Sequence, residues 1–535
     1  MSLLRAIKLT VWACSSHPTT RPAVAHNVAI IGAGPGGLVA ARYLQQVGFT
    51  PVLFEQGDGV GGQWRVGAPY SSVWPGMRTN TSRVMTAFSD LPHPVVTPPY
   101  PTGEQLGTYL EGYAGHFGLL ERTRVRTRVE LLDRASDGGW DVHARDASGT
   151  LHREAFSHVV VASGRYHAPA LPRLDGMRGF RPGGISHVAT YRGTEPYRGQ
   201  RVLVAGHSIS ALEIASELAL RGAARVIVAA RRHRYVLQKI LAGVPIEHRV
   251  YTRYAAMAAE SFAQDVVAAS VKELILRTSG HPSQFGAPVH SEDVFEAGFT
   301  QSQFYLALVA EGRIVPRPWV SRIDGHVVHF ADDTSEDVDA IVFGTGYHLD
   351  VPFLGPSIRE ALRLDAVHAD LHQHTFHPDL PGLAFVGLYE QSGPYFPTLE
   401  LQARRVAYTW GGAVPAPSRE AMVAGVDAYR ARRGTSQVLR MHALARLWAR
   451  EAGVEPDPAR WPHLARALYF GPQSPASFRL DGPDALPDAP TRVAEDALTF
   501  GTLNDLNLTE TEKAQLTTLA SARNDPNFTR FVQSL

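Results

Sequence analysis

Two stretches of the chain share one pattern of apolar and polar positions. The first is residues 28–56, "VAIIGAGPGGLVAARYLQQVGFTPVLFEQ". An apolar, β-branched run ends in glycine, as expected of a buried parallel strand. "GLVAARYLQQVG" then has helical spacing, with Leu38, Ala41 and Leu44 on one side and Gly48 as a C-cap. "TPVLFEQ" is a second strand. The second stretch begins at 201, "RVLVAGHSISALEIASEL", and continues "RGAARVIVAARRHRY". Each predicts a strand–turn–helix–strand unit, and together they predict an α/β protein with two Rossmann-like domains. Residues 235–300 lack a clean period but contain helical spacing in "AQDVVAASVKELILRTSG". "GGAVPAPSRE" at 411–420 marks a turn into a mainly helical tail, with helical spacing in "PSREAMVAGVDAYRARR" and "LRMHALARLWAREAG". The last segment, "NLTETEKAQLTTLASARNDPNFTRFVQSL", predicts two short amphipathic helices that pack on the body or on a second copy of the chain in a homo-oligomer.

The chain has 535 residues, 44% hydrophobic and 19% charged, with net charge +1. That length exceeds what one core supports. The near-neutral balance argues against nucleic acid as a partner, since neutralising phosphates needs excess Lys and Arg. Cys14 is the one cysteine, which excludes an internal disulfide and a CxxC redox pair. No run of about 18 apolar residues occurs, so no membrane span is expected. Residues 1–26 carry Arg5, Lys8 and Arg21 without an acid and are read as a leader. The expected location is cytoplasmic, with organelle targeting by the leader as the alternative.

The first turn reads G-A-G-P-G-G. Gly32 permits the turn, Gly34 leaves room for a pyrophosphate against the backbone, and Gly37 lets helix and strand approach. The helix N-terminus presents free N–H groups to phosphate. Glu55 ends the second strand, where a carboxylate accepts from a ribose 2′-OH and repels a 2′-phosphate. In the second unit the turn runs Gly206, Ser208, Ser210, Ala211, so only the first glycine remains. Arg231 and Arg232 stand where the first unit has Glu55, and guanidinium groups there suit a 2′-phosphate. The first unit therefore suits FAD or NAD and the second NADPH.

Between and after these units lie stretches that resemble the flavin-containing monooxygenases, a family of class B flavoprotein monooxygenases. "GGQWR" at 61–65, "RTNTSRVMTAFSDLPHP" at 78–94 and "VVVASGRYHAPALPRLDG" at 159–176 resemble its flavin-side segments and its crossing into the NADPH domain. "FRPGGISHVATYRG" at 180–193 resembles its FxGxxxHxxxY fingerprint: Gly183, His187 and Tyr191 match, and Phe180 sits one residue too far upstream. "DAIVFGTGYHLD" at 339–350 and "PGLAFVGLYEQSGPYFPTLELQARRVA" at 381–407 resemble the return to the FAD domain. The resemblance, over about residues 27–412, implies an FAD domain in two parts, 27–167 and 336–412, an NADPH domain with its insert at 168–335, and a helical extension at 413–535.

It also implies cofactors and site residues. FAD contacts are expected at Gly32, Gly34, Gly36, Gly37, Glu55, Gly62, Gln63, Trp64, Thr79, Asn80, Gly346 and Gln402. NADPH contacts are expected at Gly206, Ser208, Ser210, Ala211, Arg231 and Arg232. Implied chemistry is reduction of FAD by NADPH, formation of a flavin C4a-hydroperoxide from dioxygen, and oxygenation of a nucleophilic nitrogen or sulfur in a small molecule. Asn80 is the implied catalytic residue, because an amide both donates and accepts at the flavin edge; the bland alternative is an Asx turn in "RTNTSR". Trp64 covers the flavin or fills core; His187 and Tyr191 position the interdomain linker. His372, His374 and His377 lack carboxylate or cysteine support, so no metal site is expected. Rival readings are a Baeyer–Villiger monooxygenase, whose fingerprint has tryptophan and proline where this chain has "HVATY"; an amine N-hydroxylase; and a non-turnover NADP-binding redox sensor. The family's hydrophobic C-terminal anchor is absent from the sequence, which argues for a protein without a membrane anchor.

Overall fold

The apolar runs become central strands of two parallel sheets in the computed structural model, which describes residues 26–136, 138–436 and 438–535. Apart from His26, the expected leader lies outside the described residues, as does Cys14. The first sheet has the strand order Leu383–Phe385, His158–Val161, Asn27–Ile31, Thr50–Phe54, Thr123–Arg124, all parallel. The second has the order Ile314–Pro318, Arg225–Ala230, Arg201–Ala205, Ala340–Phe343, Ile185–His187, also all parallel. In both, the strand that leads into the glycine turn, Asn27–Ile31 or Arg201–Ala205, is central. The chain moves to one side of it through the glycine helix and later returns on the other side, which opens a crevice at the strands' C-terminal ends. Helices cover these sheets, so both faces of Val28–Ile31 and Val202–Ala205 are buried and the strands read as continuous apolar runs.

One departure from the expected domain boundaries follows from strand pairing. Ala340–Phe343 pairs with Arg201–Ala205 and belongs to the second sheet. The return to the first domain therefore comes after Phe343 and not at 336; a segment so apolar had to be completed by a sheet before the chain could leave. The two crossings then lie side by side. Ala168–Pro169 pairs antiparallel with Tyr347–His348, Ala170 N donates to Gly346 O (3.0 Å), and Thr345 Oγ1 donates to Ala170 O (2.5 Å). The connection between domains is thus a two-stranded ribbon.

The helix expected in the insert spans Gln264–Ser279, and the terminal pair spans Glu510–Arg523 and Pro526–Gln533. That terminal pair rests on the body: Leu516, Leu519, Ala520 and Phe528 pack with Met257 and Tyr469, and Arg523 meets Glu260 at 3.0 Å. The extension also enters the core of the first domain. Arg404 donates to Asp484 Oδ1 (2.6 Å), Arg479 Nη1 donates to Tyr43 OH (2.6 Å), and Tyr43 OH donates to Glu400 Oε1 (2.6 Å). All five groups are buried. Such a network adds little net stability, but removing one charge strands its partners at a cost of about 3–5 kcal/mol. The extension is accordingly part of the flavin-side fold.

Candidate active site between two nucleotide crevices

In the first crevice, Gly32 N donates to Phe54 O (2.8 Å), and Ala162 N donates to Ile31 O (2.9 Å), which closes the turn between three strand ends. Gly32 has φ +105°, and a Cβ there would lie 2.5 Å from Ala162 O. A Cβ on Gly37 would lie 1.9 Å from Gly32 O, so only glycine lets this helix sit so close. Gly34 differs: a Cβ there would meet nothing nearer than Gly62 Cα at 3.5 Å. Its side is open, and it caps the Pro35–Gln46 helix without any side-chain hydrogen bond. A helix N-terminus with uncapped N–H groups beside open space is a cradle for a pyrophosphate. Gly36 instead faces Val386 and Leu399, which would lie 3.4 and 3.5 Å from a Cβ at this position, where the returning chain packs on the helix.

Glu55 is buried and held by three donors: Ala33 N to Oε2 (3.0 Å), Gly57 N to Oε1 (2.7 Å) and Tyr70 OH to Oε1 (3.2 Å). The Gly62–Trp64 turn packs its first residue against Gly34, and Gln63 O accepts from Ser71 Oγ (2.5 Å). Trp64 is half-buried. It packs against the first domain's core and lines a cavity of about 1040 Å³ with Gln56, Gly57, Tyr70 and Arg126, at the Glu55 end of the crevice. Ser163, just past the end of the His158–Val161 strand, buries a hydroxyl that has no partner among the described residues.

The second crevice repeats the wiring. Gly206 N donates to Ala229 O (2.8 Å), and Gly344 N donates to Ala205 O (2.8 Å). Ser208 caps the Ile209–Leu220 helix without a side-chain cap hydrogen bond, its hydroxyl unused among the described residues, and Ser210 is exposed. Ala211 is fully buried, and Gly344 opposite it makes the room: a Cβ on Gly344 would come within 2.7 Å of Ala211 Cβ. Arg231 and Arg232 follow directly on the Arg225–Ala230 strand and are exposed. Arg231 rests on the Trp319 ring at 4.8 Å. Among the described residues neither arginine forms an ion pair, so both are free for an anion.

A loop joins the crevices. From Ser71 to Ser82 it runs along the domain junction and is tied to the second domain at several points. Arg192 Nη2 donates to Ser71 O (2.9 Å), Tyr347 OH donates to Ser72 Oγ (3.4 Å), and Trp74 meets Tyr191 edge-on at 5.3 Å. Tyr191 OH in turn donates to Glu217 Oε2 on the second glycine helix (3.1 Å). His187 packs edge-on against Tyr347 at 5.1 Å, and burial holds its ring below the usual histidine range. Asn80 lies in this loop. Its backbone neighbours are fixed: Thr79 N donates to Pro101 O (2.9 Å) and Thr79 Oγ1 to Thr81 O (2.8 Å). The half-buried Asn80 amide has no hydrogen-bond partner among the described residues, so the Asx turn does not form. An amide held by its backbone and unused by the fold is available to a ligand.

Residues 25–497 match the family described as "FMO-like: Flavin-binding monooxygenase-like". The chain belongs to this family. It is 33% identical over 487 residues to "Dimethylaniline monooxygenase [N-oxide-forming] 2" of Rattus norvegicus, covering 85% of this chain and 89% of that protein. It is similar in structure to the S-allyl-L-cysteine S-oxygenase of Allium sativum (TM-score 0.62, 25% identity, 90% of this chain and 99% of that one). Cyclohexanone monooxygenase in its open form shares the fold (TM-score 0.58, 18% identity, 80% of this chain and 97% of that one). This flavin-binding monooxygenase is an NADPH-dependent enzyme that uses FAD. Both crevices fit these groups on their own geometry: an open, uncapped helix start beside Gly34 and an orphaned Ser163 hydroxyl in one, an unused Ser208 hydroxyl and two free guanidinium groups in the other.

One expected contact takes another role. Gln402 is fully buried with its amide engaged inside the protein: Oε1 accepts from Gly387 N (2.9 Å), and Nε2 donates to His374 O and Thr375 Oγ1 (both 3.0 Å). It fixes the returning loop instead of presenting a polar group to the cofactor. Gly346, with φ +86° and open space where a Cβ would stand, lies in the interdomain ribbon. No three His, Cys, Asp or Glu among the described residues are placed to hold a metal, and none of the described helices is long and apolar enough to cross a membrane. Sequence reasoning missed Ser163, Gly344 and Tyr347, none of which carries a local signal: each acts only because a distant strand is brought beside it.

Proposed function

We propose that this flavin monooxygenase transfers one atom of dioxygen to the lone pair of a small molecule's nitrogen or sulfur, the second atom leaving as water at the expense of NADPH. The observation that carries this reading is the Asn80 amide: half-buried, free of protein partners, and set in a loop fixed to both nucleotide domains. The bound cofactors supply the electrons that activate dioxygen. Asn80 would donate through its N–H₂ to the developing negative charge on oxygen and accept through its carbonyl. A soft nucleophile brings its own electron pair, so no strong base is required of the protein. Relatives named for N-oxide formation and for S-oxygenation support this substrate class.

The test is product analysis with a tertiary amine, an aryl methyl sulfide and a cyclic ketone, alongside NADPH consumption. N-oxide and sulfoxide are expected, with no lactone. Asn80→Ala should keep FAD bound yet lower product formed per NADPH by about 10²-fold, the loss typical of one oxyanion donor. Lactone as the main product would overturn the substrate class. Unchanged coupling in Asn80→Ala would remove Asn80 from the mechanism.

A further inference from the structure

The loop that carries Asn80 is gripped two residues further on by a pair of buried side chains from the insert of the second domain. Glu247 Oε1 accepts from Ser82 N at 2.5 Å, and His248 Nε2 lies 2.8 Å from Ser82 Oγ. Ser82 and His248 are fully buried, and Glu247 is 2% exposed. On its other side His248 Nδ1 lies 3.0 Å from Thr502 Oγ1, in the C-terminal extension.

Thr502 Oγ1 donates its one proton to Thr499 O (3.0 Å), so it must accept from His248. Nδ1 therefore carries the hydrogen, and Nε2 accepts from the Ser82 hydroxyl. Burial pushes the His248 ring down to about 3, so it is neutral and has one donor and one acceptor, as this order requires. Ser82 Oγ, its proton committed to His248, remains an acceptor for Met85 N (3.4 Å) and so starts the turn that follows. The polar run Ser82, His248, Thr502, Thr499 has a single direction and ends in a segment about 420 residues downstream in the chain (502 − 82).

Glu247 lies in the field of Lys239, whose charge favours the carboxylate against burial, and Tyr100 and Tyr251 stand in its own field; Lys239 in turn feels Glu213 of the second glycine helix and Arg78 of the Asn80 loop. Tyr100 OH donates to Lys239 O (2.8 Å) and the Lys239 ammonium lies 4.4 Å from the Tyr100 ring. The second oxygen of Glu247 is buried with no hydrogen-bond partner among the described residues. A carboxyl group in that position is costly to the fold, and burial raises it to about 7. What hydrogen bonding it receives from another residue comes from Ser82 of the Asn80 loop.

We propose that Glu247 and His248 are positioning residues that clamp the Asn80 loop, Glu247 by the Ser82 amide and His248 by the Ser82 hydroxyl, with Thr502 of the C-terminal extension as the anchor. The inference rests on the reading of Asn80 given above. It assigns a task to the extension: besides packing on the body, it fixes a loop of the reaction site through His248.

The variants are Glu247→Ala, Glu247→Gln, which keeps an acceptor at Oε1, and Thr502→Val, which is nearly isosteric and breaks the relay. Hydrogen exchange of the amides from Ser82 to Met85 is measured first on the full chain free of cofactor. Exchange should rise at least about tenfold in Glu247→Ala and Thr502→Val, and Glu247→Gln should return it to within about twofold of the parent. In the holoenzyme with NADPH and an aryl methyl sulfide, the two loosened variants should form about fivefold less sulfoxide per NADPH, with the KM for NADPH unchanged. Parent-like exchange in both would overturn the clamp. Faster exchange with full coupling would reduce it to a structural contact and equally overturn the proposal. If Glu247→Ala does not accumulate, Thr502→Val decides alone. Failure of the Asn80 reading looks different: Asn80→Ala retains coupling while the exchange results stand.

Discussion

In the first nucleotide unit the helix contributes the small residue, Gly37, and the strand end that hydrogen-bonds to Ile31 carries a methyl, Ala162. In the second unit these are exchanged: Ala211 is on the helix, and Gly344 holds the strand position that hydrogen-bonds to Ala205. The backbone wiring around both turns is the same to within 0.1 Å, 2.8 and 2.9 Å in one and 2.8 and 2.8 Å in the other. Both units pack helix against strand closely, but the glycines relieve different contacts: Gly37 spares the turn's own Gly32 O, and Gly344 spares Ala211 Cβ. A second difference concerns charge. Glu55 is buried and already has three donors, whereas Arg231 and Arg232 are exposed and uncommitted. A carboxylate kept in the interior must be satisfied by the protein. A guanidinium group at the surface stays hydrated until its anion arrives, which suits a coenzyme that comes and goes with each turnover.

The largest effects should come from the first unit. Gly37→Ala drives a methyl into Gly32 O, a backbone atom that cannot move aside. The protein should purify without flavin absorbance, and its melting temperature should fall by about 5 °C or more. Gly34→Ala has room in the protein, with Gly62 Cα at 3.5 Å, but fills the space reserved for the pyrophosphate. It should melt within about 2 °C of the parent when free of cofactor, yet bind FAD about 100-fold more weakly. Wild-type FAD affinity in Gly34→Ala would show that this opening is not where the phosphates approach.

The second unit should respond through charge. Arg231→Ala and Arg232→Ala each remove a charge-assisted contact to a 2′-phosphate, so the KM for NADPH should rise about 10–100-fold while that for NADH stays within twofold. Steady-state kinetics with both coenzymes decide it. Equal losses would mean that the arginines act on the fold, through the Trp319 contact, and that the contrast with Glu55 is not a contrast in coenzyme recognition.

Both units, the acid and the arginines were legible in the sequence because each depends on residues close together in the chain: a turn, a helix start and a strand end. The extent of the second domain was less legible. Ala340–Phe343 had the apolar run of a buried strand, but only pairing with Arg201–Ala205 shows which sheet it completes. Gln402 illustrates another limit. Its place in the family-like "TLELQAR" suggested a cofactor contact, and the donors and acceptors that consume its amide come from residues 374, 375 and 387, brought together by a loop with no periodicity. Glu247 and His248 lay in the unpatterned insert, where neither hydrophobic period nor turn chemistry distinguishes a buried clamp from an exposed helix start.

The smallest and most specific effect should come from moving the methyl between helix and strand in the second unit. Gly344 has no positive φ, so alanine is allowed by its backbone, and the whole cost of Gly344→Ala lies in the 2.7 Å approach to Ala211 Cβ and the 3.3 Å approach to Ala211 Cα. That overpacking should cost about 1–3 kcal/mol. Ala211→Gly alone loses helix propensity and a small buried side chain, about 1 kcal/mol. In the double variant the methyl–methyl clash is gone and only the approach to the helix backbone remains tight. The two changes should therefore couple favourably by about 1 kcal/mol or more, leaving the double variant more stable than the sum of the singles predicts. Thermal melts of the four proteins, with and without NADP⁺, measure this. If the penalties simply add, the helix is held at its distance by something other than these two side chains.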